Sequence, residues 1–156
     1  MLAPLLALSV ALLAPAPGVE EAARTLDAFH AAAARADEAA YFGLFDPDGV
    51  FVGTDATEVW SVEAFRAYAH PFFAKGKAWT MVPDAAGRRI RLAADGKTAW
   101  FYEPLAHEKY GALRGSGALV RGPDGGFRVA QYILSFAVPN DRADAVIQAV
   151  SLPAAP

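Results

Sequence analysis

Three long runs of strand-forming sequence follow one another in the second half of this chain, and they dominate what it can fold into. Thr98 to His107, Tyr110 to Arg121 and Phe127 to Phe136 are separated only by a short polar loop and the turn Pro123-Asp124-Gly125-Gly126. Arg89 to Ala93 meets the first run across Asp95-Gly96, the strongest short-range signal for a hairpin. The result is an antiparallel meander. The first half has a different character. Val19 to about Arg35 repeats Ala22, Leu26, Phe29 and Ala33 at helical spacing, and a second short helix is expected over Asp37 to Phe45. The turn Asp46-Pro47-Asp48-Gly49, a short strand Val50-Phe51-Val52 and a polar loop come next. Ser61, with Glu63 in the first turn, caps a third helix carrying Phe65, Tyr68 and Ala69. Pro71 is expected to break or kink that helix and Gly76 to end it. Asn140 caps a last short helix with Ala143, Val146, Ile147 and Val150 as its apolar stripe. Helices followed by a meander define an α+β class.

With 156 residues, 54 % hydrophobic, the chain has the length of one domain and needs neither disulfide nor metal to hold it. It has no cysteine, hence no thiol nucleophile and no thiolate metal site. A net charge of −3 argues against nucleic acid as a partner, and Arg88, Arg89 and Arg91 read as the solvated row of a strand. Residues 1–18 carry no charge and suit a signal-peptide core, with cleavage before Val19; the stretch is too short for a stable membrane span. Export to the periplasm or exterior follows, the alternative being a cytoplasmic protein with a mis-assigned start. That leaves one domain over 19–151 and a disordered Ala/Pro tail over 152–156.

Strict alternation puts Phe127, Val129 and Ile133 on one face of the last strand and Tyr132, Leu134 and Phe136 on the other. A sheet with one wet face alternates apolar with polar. This strand is apolar on both, so helices should cover one face. A second copy of the chain, docking on Tyr132, Leu134 and Phe136, should cover the other. The alternative cover is the C-terminal helix folded back.

The ordered series GTDATEVW, AYAHPFFAKGKAW, AWFYE, RGSGALV and AQYILSFAVPND, between Ala22 and Asp141, resembles the SnoaL-like branch of the nuclear transport factor 2 superfamily. The resemblance implies a cone: a strongly curved antiparallel sheet wrapped by about three N-terminal helices, with a short C-terminal helix, often dimeric. It implies no single activity, since the superfamily includes cyclases, isomerases and dehydratases, and function must be argued from the site. The aspartate that works as acid or base in the isomerases and cyclases has no matching position here.

Glu103 shares a row with Phe101 and Leu105, and a buried carboxylate needs a partner. Arg114, in a row with Ala112, Ser116, Ala118 and Val120, is the expected one; strand glycines 115 and 117 mark a bulge or a close backbone approach. The pair closes the cone or recognises a ligand, or a bulge at those glycines turns one or both side chains to the exterior. Glu58, beside Trp60, and Glu103 together would form an acid–base pair if both faced the cavity. His70, before Pro71, is the best individual histidine; His30, His70 and His107 lack metal-ligand spacing, so no metal is expected. His107 reads as solvated. Trp60, Trp79 and Trp100, with Tyr68 and Phe72, supply an aromatic wall, and Gln131 is a polar group in an apolar row. No dinucleotide loop, nucleophile elbow or P-loop occurs, and no cofactor is implied. The reading is an exported domain whose hydrophobic cone binds a small apolar or carbonyl-bearing molecule through Glu58, Trp60, His70, Trp79, Trp100, Glu103, Arg114 and Gln131. An acid–base enzyme using Glu58, His70 or Glu103, or a dimerisation module without ligand, are the alternatives.

Overall fold

The computed structural model describes residues 17–151. Residues 1–16, most of the expected leader, and residues 152–156 lie outside the described residues, so the expectations placed on them do too. Among the described residues no helix is long and apolar enough to cross a membrane.

Helix α1 (Pro17–Ala34) buries Ala22, Leu26, Phe29 and Ala33, the stripe its periodicity predicts. α2 (Glu38–Gly43) starts at Asp37, whose carboxylate accepts from the Ala40 N–H at 3.0 Å. β1 (Phe45–Val52) absorbs the expected Asp-Pro-Asp-Gly turn as an excursion, with Phe45 opposite Val129 and Val50 opposite Gln131. β2 (Val59–Ser61) leads into α3 (Val62–Ala74). Ser61 Oγ accepts from the Ala64 N–H at 3.2 Å, the predicted cap. Ser61→Ala should therefore cost about 1 kcal/mol in urea unfolding; an unchanged midpoint would show the cap to be idle. Pro71 does not break α3. The bond it cannot make falls on the carbonyl of Ala67, an exposed residue on the solvent side of the helix.

Strands β3 (Val82–Pro83), β4 (Arg89–Leu92), β5 (Thr98–His107), β6 (Gly111–Arg121) and β7 (Phe127–Phe136) complete the sheet. Its order is β2-β1-β7-β6-β5-β3, with β4 also on β5, and β1 runs parallel to β7. The long strands are the predicted antiparallel meander. The sheet curves around α1, α2 and α3, and the core fills the concave side: Phe29, Tyr41, Phe45, Phe51, Phe65, Phe101, Leu119 and Tyr132.

Two expectations fail here. First, Ala118 pairs with Gln131 but Leu119 pairs with Val129, so Ala130 is an extra residue in β7. That bulge reverses the alternation. Tyr132 (2 % exposed) and Leu134 point into the concave side, and Phe136, in their row, stands at the sheet's end against the Tyr110 ring. The proposed outer docking face of Tyr132, Leu134 and Phe136 therefore does not exist; Gln131 and Ile133 face outward instead. Second, the C-terminal segment is a 3-10 turn (Asn140–Arg142) and α4 (Ala143–Val150), neither capped by a side chain. α4 buries none of its residues, so it does not cover the sheet.

Candidate functional site

Glu103 is fully buried in the middle of β5, where Phe101 and Leu105 share its inward row as predicted. Its partners are not the predicted one. His30 Nε2 lies 2.6 Å from Oε1, the Tyr132 hydroxyl donates to the same oxygen at 2.9 Å, and Arg88 Nε donates to Oε2 at 2.8 Å. Arg88 Nη1 continues to Asp27 Oδ1 at 2.7 Å and to the Ala23 carbonyl, while its Nη2 is sealed without a partner. Burial works to raise the Glu103 pKa, but the hydrogen bond and charge of His30, the charge of Arg88 and the Tyr132 hydroxyl outweigh it and hold the carboxylate below its usual range. Burial likewise works against the Arg88 charge, and Asp27 with Glu103 overcomes it, raising that pKa. Burial, reinforced by Glu103, pushes the Tyr132 phenol well up, so it stays a neutral donor.

Arg114 is exposed on the convex face: β5–β6 register places Glu103 opposite Gly115 and Arg114 opposite Pro104. Alternation sends the two side chains to opposite faces. Arg114→Ala should change the unfolding free energy by less than about 0.5 kcal/mol; a larger loss would return it to the core. Glycine at 115 has a different purpose. A methyl group there would overlap the Tyr132 hydroxyl, so the missing side chain makes room for the Tyr132–Glu103 bond.

Arg88 and His30 both left signals in the sequence. In Arg88-Arg89-Ile90-Arg91-Leu92, alternation puts Arg88 in the inward row of Ile90 and Leu92, and only Arg89 and Arg91 are exposed. Reading the three arginines as one solvated group hid this. His30 sits four residues after Leu26 and three before Ala33, on the apolar stripe of α1, and is 7 % exposed. Tyr132 was missed because the bulge was.

Beside this network the cone opens as a cavity of about 310 Å³. Phe51, Trp60, Phe65, Tyr68, Phe72 and Trp79 form most of its wall, and Trp60 stacks on Phe65 and Tyr68 with ring centroids 5.5 and 4.8 Å apart. Glu58, Lys77, His107 and Tyr110 supply its polar edge. Expected residues Glu58, Trp60 and Trp79 are thus brought together. Trp100 (53 % exposed) and Gln131 lie on the convex face, and His70 sits outside the cavity on α3, 2.8 Å from Glu38 Oε2. His107, expected to be solvated, lines the cavity and stacks on Tyr110. Glu103 has no surface in the cavity; the carboxylates Glu58 and Glu103 do not form an acid–base pair. Deeper in, a recess of about 20 Å³ is lined by His30 and Tyr132 and shares Phe51, Trp79, Met81 and Leu134 with the main chamber.

Residues 22–139 match the family model of the SnoaL-like domain. A search of curated proteins gave no match. Among solved structures, the chain is similar to a Nostoc punctiforme domain of unknown function with a cystatin-like fold. That pair has 14 % identity and a TM-score of 0.66, covering 89 % of this chain and 90 % of the other. It is also similar to a ketosteroid isomerase-like protein of Erwinia carotovora atroseptica, at 14 % identity, TM-score 0.57 and coverage of 79 % and 98 %. A third, ActVI-ORFA of Streptomyces coelicolor, has 19 % identity, TM-score 0.54 and coverage of 76 % and 96 %. At these identities the likeness concerns the fold.

Proposed function

The chain belongs to the SnoaL-like family, and on that premise we propose that its cone is a binding chamber for one small, largely apolar molecule. The single observation that carries this is the cavity of about 310 Å³, walled by aromatic rings and edged by a few polar groups. That volume and lining match small-ligand sites, which hold apolar surface against rings and fix orientation with few polar contacts. Tyr68 (49 % exposed) and Phe72 (45 % exposed) stand along α3 at the chamber's side, so apolar surface is available to a ligand without first unpacking the core. Nothing in this reading requires a cofactor.

Titration with 1-anilinonaphthalene-8-sulfonate tests it. Saturable binding by the folded protein is expected, weakened about tenfold by Tyr68→Ala, which removes ring contact worth about 1.5 kcal/mol or more, with little loss of stability. No saturable binding, or binding indifferent to Tyr68, would remove the chamber.

The same reading places the domain outside the cytoplasm after loss of the leader, as a pair of copies joined through the convex sheet face. Trp100 and Tyr102 (49 % exposed) are the aromatic groups that face offers, beside exposed Arg89, Arg91 and Arg114. Native mass spectrometry of protein expressed with its leader should show a dimer starting near Val19. A monomer retaining Met1 would overturn both parts.

A further inference from the structure

Resting on the reading of the cone as a ligand chamber, we propose that the Tyr41 hydroxyl receives the polar end of the ligand and that this end is a carbonyl oxygen. Tyr41 sits on α2 and is fully buried. Its ring stacks on Phe29, with centroids 4.3 Å apart, and stands edge-on to Phe42 and Phe45. Those contacts fix the ring without using its oxygen, and a phenylalanine ring would make them equally well. The hydroxyl is nevertheless present, sealed from solvent and without a hydrogen-bond partner among the described residues. An unpaired buried hydroxyl costs stability, and packing alone gives no reason to keep it.

What the hydroxyl lacks is an acceptor. Burial pushes the Tyr41 pKa well up, so the oxygen keeps its hydrogen. Trp79 is the polar neighbour that works against this rise, and its indole only donates. Even a hydrogen bond from Trp79 takes a lone pair of Oη and leaves the hydroxyl hydrogen unspent. His30 and Tyr132, the other polar side chains around the inner recess, are both engaged with Glu103, and neither makes a bond to Tyr41. The count holds whichever nitrogens of His30 carry hydrogen.

The recess, at about 20 Å³, has room for one water-sized group, and Tyr41 forms part of its wall. Phe51, Trp79, Met81 and Leu134 border it and the main chamber alike. The Trp79 indole is half-buried and lies edge-on to Tyr41 with centroids 5.6 Å apart, so a ligand that turns this ring aside meets the hydroxyl. A carbonyl oxygen accepts the hydrogen and requires nothing further. A ligand hydroxyl would bring another hydrogen that again needs an acceptor, and a hydrocarbon end would leave Tyr41 unpaired. Specificity thus belongs to Tyr41, and the aromatic wall supplies affinity for the rest of the molecule.

Displacement of 1-anilinonaphthalene-8-sulfonate from the full chain by three naphthalenes of similar shape tests the proposal. The probes are 2-acetylnaphthalene, 2-isopropenylnaphthalene, which has a methylene group in place of the oxygen, and 1-(2-naphthyl)ethanol. The ketone should bind about tenfold more tightly than the other two. Tyr41→Phe should abolish that preference by weakening the ketone alone, and its urea midpoint should equal or exceed that of wild type. Equal binding of all three, an alcohol as tight as the ketone, or a ketone preference that survives in Tyr41→Phe would overturn the proposal while leaving the chamber in place. A Tyr41→Phe midpoint clearly below wild type would also overturn it, because the hydroxyl would then have a partner within the fold. If none of the three displaced the dye, the chamber itself would fall. Infrared spectra give a reading that needs no variant: the carbonyl band of the bound ketone should lie below its position in hexane, and an unshifted band would overturn the assignment.

Discussion

Glu103→Ala should lower the free energy of unfolding by about 3–5 kcal/mol, the usual cost of removing one member of a buried ion pair. Arg88 would be left almost sealed with only Asp27 for charge, and His30 and Tyr132 would each lose their acceptor. Glu103→Gln keeps the shape and one acceptor oxygen but removes the charge, so it should also destabilise, and by less. Because the residues act as one network, Glu103→Leu with Arg88→Leu should cost less than the sum of the single changes. The sign of the pH dependence follows from the depressed Glu103 pKa. A carboxyl group with a lowered native pKa contributes stability at pH values above its unfolded pKa, about 4.3, and loses it as pH falls through the native pKa. Wild-type urea midpoints should therefore drop on acidification below about pH 4.3. Glu103→Gln, lacking the group, should show a shallower decline over the same range. A Glu103→Ala midpoint within error of wild type, with the same acid profile, would mean that the network contributes nothing to holding the cone closed.

Gly117→Ala should be the most damaging small substitution in the sheet. Gly117 lies opposite Tyr132 and next to the Ala118–Gln131 pair, just before the β7 bulge. A Cβ there would overlap the Gln131 carbonyl, which is backbone and cannot rotate aside. The strands must separate or the bulge must be lost, and losing it slips the register by one residue and turns Tyr132 and Leu134 outward. Overpacking of this kind costs about 1–3 kcal/mol and more when backbone must shift. We expect a loss of about 3 kcal/mol or failure to accumulate as soluble protein. Gly96→Ala supplies the comparison. That glycine has a φ of +66°, with open space around it, so only the modest strain of a left-handed residue is expected. Equal tolerance at 117 and 96 would show that the bulge is not pinned by the missing side chain.

Local signals accounted for much of what was legible in the residues alone. The helical stripe of α1, the caps at Asp37 and Ser61 and the long hairpin strands all depend on neighbours within a few positions, and each lies where spacing and turn chemistry place it. The buried carboxylate of β5 was visible for the same reason, since alternation along one strand is a two-residue rule. The aromatic wall was legible in part: Trp60 and Trp79 line the chamber, while Trp100, one residue out of step with Phe101, faces the opposite way.

The sequence by itself determined the order of the elements, the α+β class and the presence of a charge that had to be neutralised inside. Only the tertiary structure decided what neutralises it. Glu103 meets Arg88 across 15 residues, Tyr132 across 29 and His30 across 73, so no local pattern connects them. The face that Tyr132 and Leu134 occupy was decided by one extra residue, Ala130, between Val129 and Gln131. A bulge reverses every side chain beyond it, and whether it forms depends on the fit of two strands rather than on the composition of either.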